Sequence, residues 1–589
     1  MRSSLSLTWL ALAAASLAGV AVHGCGGGGG GGGGSSNAGH VAVSLTDAPG
    51  DRLEAFEVGL ASVELIHESG ALVPVAPARA RVDLTELVTV GDVVAARPVP
   101  VGTYIGALLG LDLSQARVVI AGRATPARVA DTLGVTLGGV VRRAALFEPG
   151  RRLSVTQGAQ RLVELDLDLD QSCLVDDATN TVRLGPVLSA VAAPTTPRPQ
   201  RLAGAVASVD SAAGSLVLAL PSPPGSPGSV TVRADGATRV LVDGEASDLA
   251  ALAARPAGLW AEVLAQAEGA AGSFLALGVD AWAAPDTVTG VVTGRTAAGS
   301  LTVQGATVTR QSGQRLTGQT VTVAAGAATK ITRAGATAAL TLDEVAIGQR
   351  LVARGALSGS TLTATGAGGH LVLLETPIFG YAVGPASSGQ LAVNVARIAG
   401  RPVADFDFRV DGAPTANPTQ LLVTITGLPA TTVVAGTPVA LRAQLAAWTA
   451  PAGQPDAAAT HLVDRAATGS VLRADWQALS ATPFTAASGT GVTVDLQTTQ
   501  VRTLDTGLAS PTTLAPADRP QVTPAGASGL YLIIDAGVTT PHVSFAAWQA
   551  DLAARLAGGA RMRAFTALGR WDASGSGTLQ ARAVTALVE

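Results

Sequence analysis

A unit of close to ninety residues recurs along this chain, and that recurrence limits the fold more than any other feature. Gly204 with Ala213-Gly214-Ser215-Leu216, Gly290 with Ala298-Gly299-Ser300-Leu301, and Gly380 with Ser388-Gly389-Gln390-Leu391 open three copies, 86 and 90 residues apart. In each, alternating apolar residues run into a small-residue-Gly pair and out again, the pattern of a β-hairpin. Val230-Thr231-Val232 up to Thr238-Arg239-Val240 in the first copy aligns without a gap on Val321-Thr322-Val323 up to Thr329-Lys330-Ile331 in the second. Each copy reads as a first hairpin, further strands, a short helical turn and a closing hairpin. The fold class that follows is all-β, with three to four small β-barrel, OB-like repeats.

The helical turn is clearest at Ser247-Asp248-Leu249-Ala250-Ala251-Leu252, with Ser247 as N-cap. Its counterpart is Thr341 to Val345, closed by Gly348. The closing strand pairs are Trp260 to Leu264 with Phe274 to Val279, and Leu351 to Gly355 with Thr361 to Thr365. A longer copy begins near Ser470 and ends in Arg561 to Leu568 paired with Thr578 to Leu587. Within it, Ser544 caps a helix whose Phe545, Trp548, Leu552 and Leu556 share one face, and Gly558 stops it. With their entry Gly-x-Val, central Thr and late Gly-x-x-Val, these units resemble the small β-barrel domain DUF5666.

Ahead of the repeats, strand alternation at Val41, Val43 and Leu45 is broken by Thr46 to Asp51, where Pro49-Gly50 suits the centre of a type II turn. Further strands follow at Phe56 to Leu65, Leu72 to Val75, Arg81 to Leu84, Thr103 to Leu111, Arg117 to Ile120 and Leu162 to Leu169, the pattern of an N-terminal antiparallel β-sandwich. Val43-Ser44-Leu45-Thr46-Asp47-Ala48-Pro49, Ser62-Val63-Glu64-Leu65, Val82-Asp83-Leu84, Val99 to Tyr104 and Leu184-Gly185-Pro186-Val187, in that order, are similar to the bacterial domain of unknown function DUF4382. The resemblance implies a secreted or lipoprotein-anchored protein and assigns no activity.

The N-terminal segment agrees with that implication. Arg2 precedes an apolar run from Leu5 to Val22, which is signal-peptide anatomy. Val22-His23-Gly24-Cys25 resembles the lipobox of bacterial lipoproteins, which implies lipidation at Cys25 and, with Gly26 next, export to the outer membrane. The nine glycines Gly26 to Gly34 form a flexible tether, since glycine loses the most backbone entropy on ordering. The expected organisation is a signal peptide over 1–24, lipidated cysteine and tether over 25–39, sandwich over 40–193 and a Pro-rich linker over 194–201. Repeats then occupy 202–286, 287–377 and 378–468, and a divergent C-terminal β domain with one helix fills 469–589.

Little in the chain points to catalysis. No Gly-x-Ser-x-Gly, His-Glu-x-x-His, phosphate loop or Cys-x-x-Cys occurs, and the six histidines are far apart in sequence, each reading as a loop or strand residue in contact with water. Glu164, Asp166, Asp168 and Asp170 share one face of a strand, with Leu165, Leu167 and Leu169 on the other. Four carboxylates could hold Ca²⁺. The leucine spacers, however, favour a half-buried strand with a solvated acidic face, so Asp166, Asp168 and Asp170 are weak metal candidates, and Asp405, Asp407 and Asp411 follow the same logic. Cys173 is expected to be buried. Charged residues make up 14% with a net charge of −4 and scattered arginines, and aromatics only 3%. These exclude a basic nucleic-acid groove and disfavour a carbohydrate platform. No catalytic residue and no cofactor is assigned. The expected function is a non-enzymatic, lipid-anchored cell-envelope protein that binds or scaffolds, with the membrane and an envelope protein or polysaccharide as partners; the alternative is an extracytoplasmic hydrolase acting on envelope polymers.

Overall fold

The computed structural model describes Ala38 to Glu589 apart from short stretches such as 131–138, 195–198, 221–227 and 507–511. The signal segment, Cys25, most of the tether and the Pro49-Gly50 turn lie outside the described residues. The fold is all-β: strands carry most of the described residues, among which the one long helix is Phe545–Ala557.

Two sheets form the N-terminal sandwich. One orders the strands Leu188–Ala192, Gln160–Asp168, Ala38–Ala48 and Gly91–Pro100; the other orders Leu72–Pro74, Leu53–His67, Gly102–Ile120 and Val140–Leu146. Alternation sends Val41, Val43 and Leu45 inward onto Phe56, Val58, Leu65 and Leu109, all buried in one core. The sandwich is not purely antiparallel, because Ala38–Ala48 pairs in parallel with Gln160–Asp168 from His40↔Gln160 to Ala48↔Asp168. Alternation fixes which face of a strand is buried, whereas direction depends on how the intervening chain crosses between sheets.

Beyond the sandwich a five-strand circuit occurs four times. In the first barrel it runs Gln200–Asp210, Ser215–Ala219, Ser229–Arg233, Ser273–Ala283, Leu259–Glu268 and back to the start. The second uses Asp286–Arg295, Ser300–Thr309, Arg315–Ala324, Thr361–Thr363 and Arg350–Ser358. The third uses Thr376–Ala382, Gln390–Ile398, Leu421–Thr424, Ala457–Asp464 and Pro438–Leu445. In the fourth, Ser470–Ser480 and Phe484–Ser488 serve as first strand, followed by Gly491–Val494, Gln521–Pro524, Thr578–Val588 and Met562–Trp571. Each circuit closes through one parallel pair, at Val232↔Phe274, Thr322↔Thr361, Val423↔Ala457 and Gln521↔Thr578. This is a Greek-key closure of the OB type.

The repeated glycines have physical causes. A Cβ at Gly204 would lie 2.3 Å from the Ala219 carbonyl oxygen, and one at Gly380 2.4 Å from that of Asn394, so the first strand can cross the second only as glycine. At the hairpin tips Gly214, Gly299 and Gly389 have φ of +62°, +99° and +72°, which L side chains adopt rarely. The long helix starts as expected, with the Ala547 N–H donating to Ser544 Oγ at 3.1 Å and Phe545, Trp548 and Leu552 buried. In the first barrel the cap is Asp248 rather than Ser247: its Oδ1 accepts from the Ala251 N–H at 2.7 Å, and the helix is Leu249–Ala253. The carboxylate's reach and charge suit the exposed first turn better than the preceding hydroxyl.

Both sheets of the sandwich continue into barrels. Gly91–Pro100 pairs in parallel with the first barrel at Gln200↔Gly91 and Arg201↔Asp92, and the Gly91 N–H donates to the Pro199 carbonyl. Val140–Leu146 pairs with Val538–His542 of the fourth barrel at Val538↔Ala144 and Thr539↔Ala145. Strand edges that would otherwise invite aggregation are thereby covered. Hydrophobic cores cross the same joins: Ala42, Val93, Ala96 and Leu162 pack with Leu202 and Leu218 of the first barrel, and Val187 packs with Leu532 and Ile534 of the fourth. The second and third barrels share a core through Val291, Ala346 and Ile347 against Ile378 and Ile398.

Candidate functional site

The acidic strand does not present a solvated face. Leu162 packs into the core shared with the first barrel, Glu164 Oε1 accepts from Gln200 Nε2 at 3.0 Å, and Asp166 Oδ1 accepts from Thr46 Oγ1 at 2.8 Å. Asp168 is buried, and the Asp170 side chain lies outside the described residues. The first barrel covers the face that a lone sandwich would expose. Among the described residues no group of three or more His, Cys, Asp or Glu is placed to hold a metal ion. Asp405, Asp407 and Asp411 are exposed, as expected of a wet face; Asp405 pairs with Arg401 at 2.9 Å. Cys173 is half-buried against the sandwich core rather than fully buried, and its carbonyl accepts from Arg473 of the fourth barrel at 2.8 Å. None of the exposed large hydrophobic residues is aromatic, and Trp282, Trp476 and Trp548 are buried.

A buried polar network joins the first two barrels. Arg354 of the second barrel, 4% exposed, donates from Nη1 to Asp280 Oδ2 of the first at 2.6 Å and lies 3.6 Å from the centre of the Trp282 ring. The same Nη1 is 3.2 Å from His370 Nδ1, while His370 Nε2 is 2.9 Å from Thr332 Oγ1. An arginine cannot accept, so Nδ1 is the accepting nitrogen and the ring proton sits on Nε2, donating to Thr332. Burial, reinforced by the Arg354 charge, pulls the imidazole down to about 3, so His370 is neutral. Burial pushes the Asp280 carboxyl up, and Arg354 offsets only part of that. Gly244, at φ +77°, brings a first-barrel turn onto the imidazole, where any Cβ would sit 3.0 Å from Cγ. His370 thus departs from the expectation of a water-exposed histidine. Thr332 and Arg354 of its own barrel hold the ring from one side, and the Gly244 turn of the first barrel closes over it from the other.

Two further clusters carry charge. Arg555 on the long helix donates to Asp551 Oδ1 at 3.1 Å and Asp535 Oδ2 at 2.8 Å, and Asp551 Oδ2 is 3.1 Å from His542 Nε2. This chain ties the helix to the strand pair beneath it. Asp475, buried where the fourth barrel meets the sandwich, is pushed up to about 6 by desolvation, against the pull of Arg473, Arg183 and Arg563.

A cleft of about 60 Å³ opens where the sandwich, the second barrel and the third barrel meet. Each supplies an arginine to its lining: Arg117, Arg350 and Arg401 respectively. Arg401 is held by Gln304 Oε1 and Asp405 Oδ2, each at 2.9 Å from Nη2. The Arg117 guanidinium lies against Gly318 with Nη2 nearest, so close that a Cβ there would overlap it. The half-buried Arg117 side chain makes no hydrogen bond or ion pair with any described residue. Asp83, the acid in the lining, spends Oδ1 on the Phe56 N–H and on the N–H and hydroxyl of Thr85, at 2.8 to 3.1 Å. Sequence reasoning missed this cleft because its arginines are 233 and 51 residues apart along the chain, and no local pattern marks them.

No family model matches the chain, and no curated protein matches it. Among solved structures, MbnP from Methylosinus trichosporium is similar at 14% identity over 25% of this chain and 80% of its own, with a TM-score of 0.12. A score that low carries no argument about fold or function.

Proposed function

We propose that this chain is a non-enzymatic cell-envelope lipoprotein, anchored through Cys25 and its glycine tether, that binds or scaffolds envelope components. The supporting observation is the sharing of sheets and cores across domain joins, which holds five β modules as a hydrogen-bonded array with their loops at fixed spacing. Such an array suits presentation of surface. The partnered titratable groups serve joins instead: Asp280, Arg354 and His370 lock barrel to barrel, and the half-buried Arg555 and Asp551 lock helix to strand through Asp535 and His542. No helix among the described residues is long and apolar enough to cross a membrane; in the proposed anchor, two or more acyl chains make a stable attachment. Domains similar to DUF4382 and DUF5666 fit the same reading.

Two measurements test it. Palmitate labelling of growing cells should mark the wild-type chain and leave Cys25→Ser unlabelled. Incubation of the purified protein with isolated envelope polymers should give co-sedimentation without fragments; release of soluble fragments would establish a hydrolase and overturn the proposal.

A further inference from the structure

We propose that the three-domain cleft is an oxyanion site that takes a phosphate group, either as the free ion or as the terminal monoester of a larger molecule. The inference goes beyond the scaffold reading and does not depend on it.

Charge is the first argument. Among the described residues three arginines and one aspartate line the cleft; Arg401 is balanced by Asp405 from outside the lining, and Asp83 already spends one oxygen on three donors of its own domain, so the cleft keeps an excess of cations. Folding gathers these cations from three separate modules into a half-enclosed space, where their mutual repulsion is stronger than in bulk water. An anion there relieves it. The guanidinium fork also matches oxyanion geometry, since paired N–H groups can donate to two oxygens at once.

The second argument is the state of Arg117. Half-buried guanidinium groups normally find a carboxylate or carbonyl; this one crosses from the sandwich onto Gly318 of the second barrel and meets neither among the described residues. Among those residues it is a donor set without an acceptor. Neutral donors stand nearby: Thr289 and Thr307 lie opposite each other on adjacent strands, and both line the cleft. Their hydroxyls, with the Arg117 and Arg401 forks, supply the kind of mixed charged and neutral donors that a dianionic tetrahedral group requires. Arg401, fixed by Gln304 and Asp405, is already oriented and loses little freedom on binding.

Because the cleft is built from three modules, occupancy must also hold them together. Any ligand that binds only the folded junction stabilises it by mass action. The test uses the full chain purified in detergent, titrated by calorimetry with inorganic phosphate and separately with glycerol 3-phosphate at constant ionic strength, with chloride as control. Saturable binding of either phosphate, weakened at least tenfold by Arg117→Gln and less by Arg117→Lys, is the expected result. Preference for the ester assigns a terminal phosphate, and equal binding assigns the ion alone. Absence of saturable binding, or equal binding by wild type and Arg117→Gln, overturns the proposal. Hydrogen exchange on the wild type supplies a readout that needs no variant: phosphate should slow exchange in peptides covering Gly318 and Ala399–Arg401, and slowing confined to other regions also overturns it.

Discussion

Replacing Arg354 by methionine should unlock the first barrel from the second. Methionine keeps much of the side-chain volume but removes the cation, which leaves Asp280 with no charge partner; its Oδ1 already lacks a hydrogen bond. Breaking a buried ion pair from one side costs about 3–5 kcal/mol. Asp280 retains 19% side-chain exposure and can take up a proton, which places the ionic part near the lower end of that range. Loss of the guanidinium over Trp282 adds about 1 kcal/mol. A total of about 4 kcal/mol corresponds to roughly a thousandfold change in an opening equilibrium, at about 1.4 kcal/mol per tenfold. The assay is hydrogen exchange at pH 7 on peptides covering Gly278–Ala283 and Arg350–Gly355, because local opening is read there without assuming that five modules unfold together. Adding Asp280→Leu should restore most of the protection, since an apolar pair of similar volume is tolerated where half of an ion pair is not. A change below fivefold in the single variant, or no recovery in the double, would refute the reasoning.

The remaining predictions concern pH and capping. His370 is neutral when folded, at about 3, and protonates near 6.5 when unfolded, so its contribution is present above pH 6.5 and is lost as pH falls towards 3. The slope is about 1.4 kcal/mol per pH unit. Protection at the barrel junction should fall accordingly between pH 6.5 and 4.5, and His370→Gln should flatten the profile; an unchanged slope would remove His370 as the cause. Asp475 has the opposite sign, because its carboxyl is raised to about 6 from 3.8, so stability is present below 3.8 and lost as pH rises through 6. Asp475→Asn should therefore raise stability at pH 7.5, by up to roughly 3 kcal/mol and visible as a higher denaturation midpoint, and change little at pH 4. Ser544→Ala should cost about 1 kcal/mol of helix stability, visible as faster exchange at Ala547, and an unchanged rate there would mean the cap is idle.

What could be read from the chain was what depends on near neighbours. Val41, Val43 and Leu45 declare a strand by alternation, Gly214 and Gly299 mark hairpin tips by their positive φ, and Phe545, Trp548 and Leu552 declare a helix by their spacing. Each feature is set within a few residues. The parallel pairing of Ala38–Ala48 with Gln160–Asp168 was not legible, because a strand's alternation is the same in either direction. The half-burial of Glu164 and Asp166 and the burial of Asp168 were missed for a related reason: alternation makes these residues look like an outer face, and the contacts that cover them, Glu164 with Gln200 and Asp166 with Thr46, come from strands distant in sequence. His370 and Arg354 are the same case at the join of two barrels. The Ser247 to Asp248 displacement is a competition between adjacent capping residues, which their order alone does not decide.

The parallel join of Val140–Leu146 to Val538–His542 has a consequence in time. Ala144 and its partner Val538 are 394 residues apart. A chain made from its N-terminus can complete the sandwich long before the strand that covers this edge has been made, so a ready template for β-pairing waits uncovered. Val140 itself remains 53% exposed even in the finished fold. During that interval the nascent protein is most open to pairing with a second copy of itself, and chains that stop before the fourth barrel should be held by chaperones or destroyed by proteases rather than accumulate.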